Sequence, residues 1–147
     1  METPKKMGIG FGVMVLKDGK VLLGQRHVDP IKASSEMHGE GTWTMPGGKL
    51  DFQETLIDGA AREVLEETGI IIDKNKTKII SVSDEIVPDN HYATIGFLCE
   101  NFEGEAKVTE PDEITEWKWF ALDNLPEKVF LPSAKMINAF LNNKIYN

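Results

Sequence analysis

Short apolar runs at 9–16 and 21–25, broken by Lys17-Asp18-Gly19-Lys20, predict a β-hairpin, because Asp-Gly is a strong tight-turn signal. Arg26 falls at the end of the second strand. Gly8, Gly10 and Gly12 alternate along the first and leave one face without side chains. Such a face either admits a flat ligand or marks close backbone packing. No helix follows, so these glycines are not a dinucleotide fingerprint. A polar stretch over 28–41 reads as a loop, the natural flexible lip of a site. Ile57, Ala60, Ala61 and Val64 then recur at helical spacing. Thr55-x-x-Asp58 caps the start of that helix and Gly69 ends it. Runs at 78–87 and 92–100, joined by Pro88-Asp89-Asn90, predict two more strands, and 113–120 another. Met136, Ile137, Phe140 and Leu141 mark a closing helix over 132–141. Strand pairs on either side of one helix, with a second helix last, predict an α/β chain whose mixed sheet lies between helices.

Composition bounds the reading. A chain of 147 residues, 41% hydrophobic, is expected to be one domain, 1–147, with a core of its own. No run of 18 apolar residues suggests a membrane span, and Met1-Glu2-Thr3-Pro4-Lys5-Lys6 lacks the apolar stretch of a signal peptide. The single cysteine, Cys99, lies in an apolar run and reads as a buried core thiol in a reducing compartment, hence a cytoplasmic protein. A net charge of −8 argues against a large nucleic-acid footprint. Arg26 and Arg62 are the only arginines.

The acids are unevenly placed. Glu63, Glu66 and Glu67 stand at i, i+3 and i+4, on one helix face, in or near the last turn. The helix dipole disfavours anions there, and the only basic neighbour is Arg62. A solvated acidic face is one reading of such a pattern; a site for a hard divalent cation is the other. Pro46-Gly47-Gly48 ahead of the helix reads as a tight turn whose backbone can approach a ligand closely. A cation would also reconcile an acidic chain with an anionic substrate.

Residues 48–70, GKLDFQETLIDGAAREVLEETGI, resemble the Nudix signature G-x5-E-x7-R-E-U-x-E-E-x-G-U (U aliphatic) at every defined position. The lead-in from His38 to Phe52 and the segments His91–Ile95, Glu110–Glu113 and Glu116–Phe120 resemble MutT-like nucleoside triphosphate pyrophosphatases. That resemblance implies the Nudix α/β/α fold and a Mg²⁺ (or Mn²⁺) site. Glu63, Glu66 and Glu67 would hold the metal with the backbone carbonyl of Gly48. Glu54 would orient or share a ligand, and Arg62 would hold the glutamates by an ion pair. Either Glu63 or Glu66 would deprotonate water. Glu110 would add an acid from a loop, the alternative being a solvated loop residue. Lys49, Tyr92 and Phe11 are candidate substrate neighbours, as is His91. Arg26 is either a phosphate contact or an exposed structural arginine. Trp117 and Trp119 share a strand face; they either stack on a base or, the expected reading, pack under the last helix.

The substrate expected from these features is a small nucleotide, a nucleoside triphosphate cleaved to monophosphate and pyrophosphate, with damaged or pyrimidine bases in view. The segment Phe130-Leu131-Pro132-Ser133-Ala134 carries no acid, unlike the oxidised-purine-cleaving relatives. Pro88 is two positions late for ADP-ribose cleavers, and the proline-rich array of NADH-cleaving members is absent. ADP-ribose, nucleotide-sugar or dinucleoside polyphosphate hydrolysis is the alternative, and a silent nucleotide-binding module a more distant one. The resemblance allows a homodimer but names no patch for it.

Overall fold

A computed structural model describes residues 5–33 and 37–146. The first hairpin forms where the sequence places it. Strands β1 (Gly8–Lys17) and β2 (Lys20–Arg26) meet at Leu16↔Val21 and Lys17↔Lys20. Asp18 and Gly19 both take positive φ, 53° and 76°, the pair of left-handed residues that this tight turn needs.

Beyond those two pairs β1 and β2 part. The β1 edge is then taken by β4 (Gly47–Lys49), with Gly10 opposite Lys49, Phe11 opposite Gly48 and Gly12 opposite Gly47. β2 pairs instead with β3 (Trp43–Thr44) and β9 (Ile114–Ala121). The sheet therefore forks. Residues Pro46-Gly47-Gly48, expected as a tight turn, lead into a short strand along one arm of the fork. The glycine explains why. A Cβ at position 47 would overlap the Phe11 carbonyl oxygen and stand 2.8 Å from the Gly12 Cα.

On its other edge β1 runs parallel to β7 (Asn90–Cys99), from Gly8↔Tyr92 to Val15↔Cys99, and β6 (Lys78–Val87) pairs antiparallel with β7 outside it. The sheet is thus mixed, as expected. A separate two-stranded ladder joins β5 (Ile71–Ile72) to β8 (Phe102–Glu103).

Helix α1 (Leu56–Thr68) starts at Thr55, whose hydroxyl accepts the Asp58 N–H at 3.2 Å. It ends at Gly69, φ 80°, whose N–H donates to the Leu65 carbonyl at 2.9 Å. Ala60 and Val64 face the sheet and pack with Phe11, Val13, Val15, Leu22 and Ile70. Helix α2 (Leu131–Asn142) covers the opposite face, where Met136 and Ile137 join Met14, Val21 and Leu23. One helix on each side of a mixed sheet is the α/β/α sandwich.

Two aromatic expectations change. Trp117 and Trp119 do pack rather than lie open, but in the cluster beneath α1, with Trp119 stacked on Phe102 at 6.1 Å. Phe120, pointing the other way from the same strand, faces the α2 side. Cys99 is fully buried, and burial pushes its thiol up. Among the described residues no helix is long and apolar enough to cross a membrane.

The Gly47 contact generates a test. Gly47→Ala forces backbone against backbone, so it is expected to cost about 3 kcal/mol of stability in urea denaturation. Unchanged stability would remove the close approach of β4 to β1.

Candidate functional site

The signature helix brings its acids to the fork, and one cation meets most of them. The Arg62 guanidinium donates to both Glu54 oxygens at 2.7 and 3.0 Å, to Glu63 at 2.9 Å and to Glu66 at 3.4 Å, with Asp51 at 3.4 Å. It also reaches the Lys49 carbonyl at 3.2 Å. The Arg62 hydrogen bond and the Asp51 N–H hold the Glu54 carboxyl down at about 2. Glu54 is therefore firmly ionised and clamps the arginine that aims Glu63.

Glu67 lies beyond that clamp. Its carboxylate accepts the Gly47 N–H at 3.3 Å, and its proton affinity is raised well above the usual carboxylate range. Burial is the main cause and the charge of Glu63 the next. Burial raises Glu63 as well, against the pull of Arg62. The loop ahead of β9 adds another acid. Thr109 donates to the Glu66 and Glu67 carbonyls at 2.5 and 2.9 Å, closing the exposed end of α1. Glu110, next along, sits in the field of Glu63 and Glu66 and shares a hydrogen bond with Glu113. Burial first, then those neighbours, push its carboxyl up to about 7.

Of these acids Glu67 borders a cavity of about 420 Å³ in the fork of the sheet, with Gly47, Gly48, Lys49 and Glu113 on the same side. Its floor is the bare face of β1. Tyr92 lies over Gly8, and the Met136 methyl would stand 2.5 Å from a Cβ at Gly12. Gly10, between them, has no neighbour closer than 3.5 Å to its Cβ position. Both readings of the alternating glycines therefore hold, close packing at the two ends and room for a flat group in the middle. Arg26 closes one wall, donating to the Ala33 carbonyl at 2.7 Å with its guanidinium 5.1 Å from the Phe130 ring centre.

The NUDIX domain family matches residues 6–140. The chain belongs to the Nudix family. It is 32% identical over 117 residues to an ADP-ribose pyrophosphatase of Methanocaldococcus jannaschii, covering 80% of this chain and 63% of that one. It is 33% identical over 115 residues to an oxidized purine nucleoside triphosphate hydrolase of Danio rerio, covering 78% and 66%. The chain thus spans just under two thirds of the length of these curated relatives. The crystal structure of a MutT NUDIX hydrolase from Burkholderia pseudomallei superposes with a TM-score of 0.81 at 30% identity, covering 92% of this chain and 98% of that one.

Most residues anticipated for a Nudix site gather here. Glu54, Arg62, Glu63 and Glu66 form the clamp, Glu67 and Glu110 lie outside it, and Gly48 lies directly against Glu63, whose carboxyl carbon would be 2.6 Å from a Cβ there. Arg26, Lys49 and Tyr92 line the cavity, with the Lys49 ammonium 5.8 Å from the Tyr92 ring centre. Phe11 departs from expectation. Its backbone borders the cavity, but its ring turns into the core beneath α1, against Gly59, because odd positions of β1 face that side. His91 does not line the cavity. Sequence reasoning missed Thr109, Glu113 and Glu85. Glu113 was visible only as a neighbour of Glu110, and Glu85 had no local signal at all.

The donors around Gly48 are oxygens, which suits a hard cation. Among the described residues no three such side chains are already closed around a cation-sized point. Glu63 and Glu66 accept from Arg62, and Glu67 accepts from the Gly47 amide.

Ionised Glu110 carries a cost in the folded protein, since its carboxyl sits at about 7 against an ordinary 4.5. That cost is absent below the ordinary value, grows as pH rises to about 7 and then levels off. In metal-free buffer Glu110→Gln is expected to gain Tm over wild type across that window. A difference that does not vary with pH would contradict the placement of Glu110 among these acids.

Proposed function

We propose that the protein hydrolyses a nucleoside triphosphate to monophosphate and pyrophosphate, using Mg²⁺ (or Mn²⁺). The observation that carries this reading is that acids outside the Arg62 clamp reach a nucleotide-sized cavity, where Glu67 and Glu113, the latter hydrogen-bonded to Glu110, stand with Arg26 and Lys49. Membership of the Nudix family supports it.

Glu63, Glu66, Glu67 and Glu110, with the Gly48 carbonyl, would hold the cation. A divalent ion bound there neutralises phosphate oxygens and lowers the pKa of water. The chain's own groups do the rest. Arg62, fixed by Glu54, holds Glu63 toward Gly48 so that it need not search for its position. Lys49 and Arg26 draw the phosphate chain and the far end of the substrate into the fork. Either Glu63 or Glu66 would take the proton from attacking water. Phe130 and Met136 supply apolar walls that exclude solvent from the bound nucleoside. The lone buried thiol is consistent with work in a reducing, cytoplasmic setting.

A second reading is favoured by the relative named as an ADP-ribose pyrophosphatase. A panel of nucleoside triphosphates and ADP-ribose with Mg²⁺, analysed for products, separates the two. Monophosphate plus pyrophosphate from a triphosphate is expected. Nucleoside diphosphate plus phosphate, or turnover of ADP-ribose alone, would overturn the proposal.

Glu67→Gln keeps an acceptor for the Gly47 N–H and removes the carboxylate. It is expected to lower kcat at least about tenfold with Tm preserved, since one charged ligand of the cation is lost. Wild-type turnover in this variant would take Glu67 out of the site.

A further inference from the structure

One cluster in the cavity lies apart from the metal-facing acids. Glu85 on β6 is only 4% exposed yet borders the cavity together with Thr94, Ser133 and Met136. Its carboxylate accepts from the Ser83 hydroxyl at 3.0 Å, from the Thr94 hydroxyl at very short range, and pairs with the Lys135 ammonium at 3.3 Å. Lys135 also donates to the Asp84 carbonyl at 2.7 Å. A buried carboxylate is costly unless partnered, and nothing in the clamp around Arg62 calls for this one.

The register fixes where the cluster lies. Lys49, Gly10, Thr94 and Ser83 form one row across β4, β1, β7 and β6. Three strand spacings separate the β4 end, where the metal-facing acids gather, from the β6 end, about 14 Å. Between them is the open floor at Gly10. A nucleotide with its phosphates toward Gly48 would lay its base along this row toward Glu85.

The hydrogen-bond inventory decides what the far end can read. The hydroxyl protons of Ser83 and Thr94 are both committed to Glu85. A carboxylate has about four acceptor positions, and three are taken. What the cluster turns to the cavity is therefore the remaining lone pair of Glu85 and the lone pairs of Thr94. Both accept. Among the described residues the Lys135 ammonium is held by Glu85 and the Asp84 carbonyl, and the Ser133 hydroxyl stands 3.4 Å from that of Thr44.

Resting on the nucleotide reading of the site, we propose that Glu85, with Thr94, selects a base that presents an exocyclic amino group. A keto oxygen in the same place would face two acceptors and bind poorly. Cytosine and adenine edges fit; uracil and hypoxanthine edges, which differ from them by an amino-to-keto exchange, do not. Glu85 is thus a specificity residue at the end of the cavity away from the phosphates. It does not touch the scissile bond.

The test uses the two matched pairs and needs no turnover. Binding of CMP against UMP, and of AMP against IMP, is measured by calorimetry on wild type and on Glu85→Gln, with Mg²⁺ present throughout. In at least one pair the amino member is expected to bind wild type at least about tenfold more tightly, as for other sites built to hydrogen-bond one group. Glu85→Gln, whose amide can donate to a keto oxygen, is expected to bring that ratio toward one, chiefly by strengthening the keto member. Ratios near one in wild type, a ratio unchanged in the variant, or no binding of any of the four would overturn the proposal. The wild-type ratios stand even where the variant fails to fold. Failure here with pyrophosphate still released from triphosphates leaves the proposed reaction intact. Amino selectivity without hydrolysis would instead uphold Glu85 and remove the reaction.

Discussion

One guanidinium faces four carboxylates at the mouth of the fork, and the count of charges does not balance. Arg62 meets Asp51, Glu54, Glu63 and Glu66 within 3.4 Å, while Glu67 and Glu110 lie beyond its hydrogen bonds. Glu67 and Glu110 respond as carboxyls do in such a field, by holding their protons more tightly. Helix α1 cannot relieve this itself, since its dipole turns negative at the same end. The protein therefore carries a standing electrostatic cost there, in return for a place where positive charge is strongly welcome. Stored strain of this sort is worth keeping where function needs it.

The fork makes that charge useful. Because β1 pairs with β2 for only two residues, the sheet opens where a continuous ladder would have closed it. Gly47 and Gly48 slide β4 against β1 and bring the start of the signature up to Glu63. The same β1 glycines, placed between Tyr92 and Met136, leave a floor at Gly10. One split in the sheet thus brings together the acids, Lys49 and the open cavity floor.

Much of this was legible because it is local. The Asp18-Gly19 turn, the Thr55 cap and the Gly69 stop each follow from a few adjacent residues, and all lie as read. That the acids at 63, 66 and 67 share one helix face was readable from spacing, and their reading as a cation site leaned on the residues around them and the family resemblance. Glu110 needed the family resemblance, since its distance from the helix in sequence hides it. What failed was long-range. Gly47-Gly48 has turn composition, and only the approach of β1 makes it a strand. Phe11 and the two tryptophans alternate as expected, yet which face meets α1 and which α2 depends on how the helices pack. Thr109 and Glu85 matter through partners 42 and 9 positions away, which no short window connects.

The central claim is that these carboxylates bind a divalent cation more readily than they bind protons. Calorimetric titration of the metal-free protein with Mg²⁺ and with Mn²⁺ at pH 7, run in two buffers of different ionisation enthalpy, measures both events at once. Saturable binding accompanied by release of protons from the acid cluster is the predicted result. Absence of binding, or binding whose heat is identical in the two buffers, would contradict it.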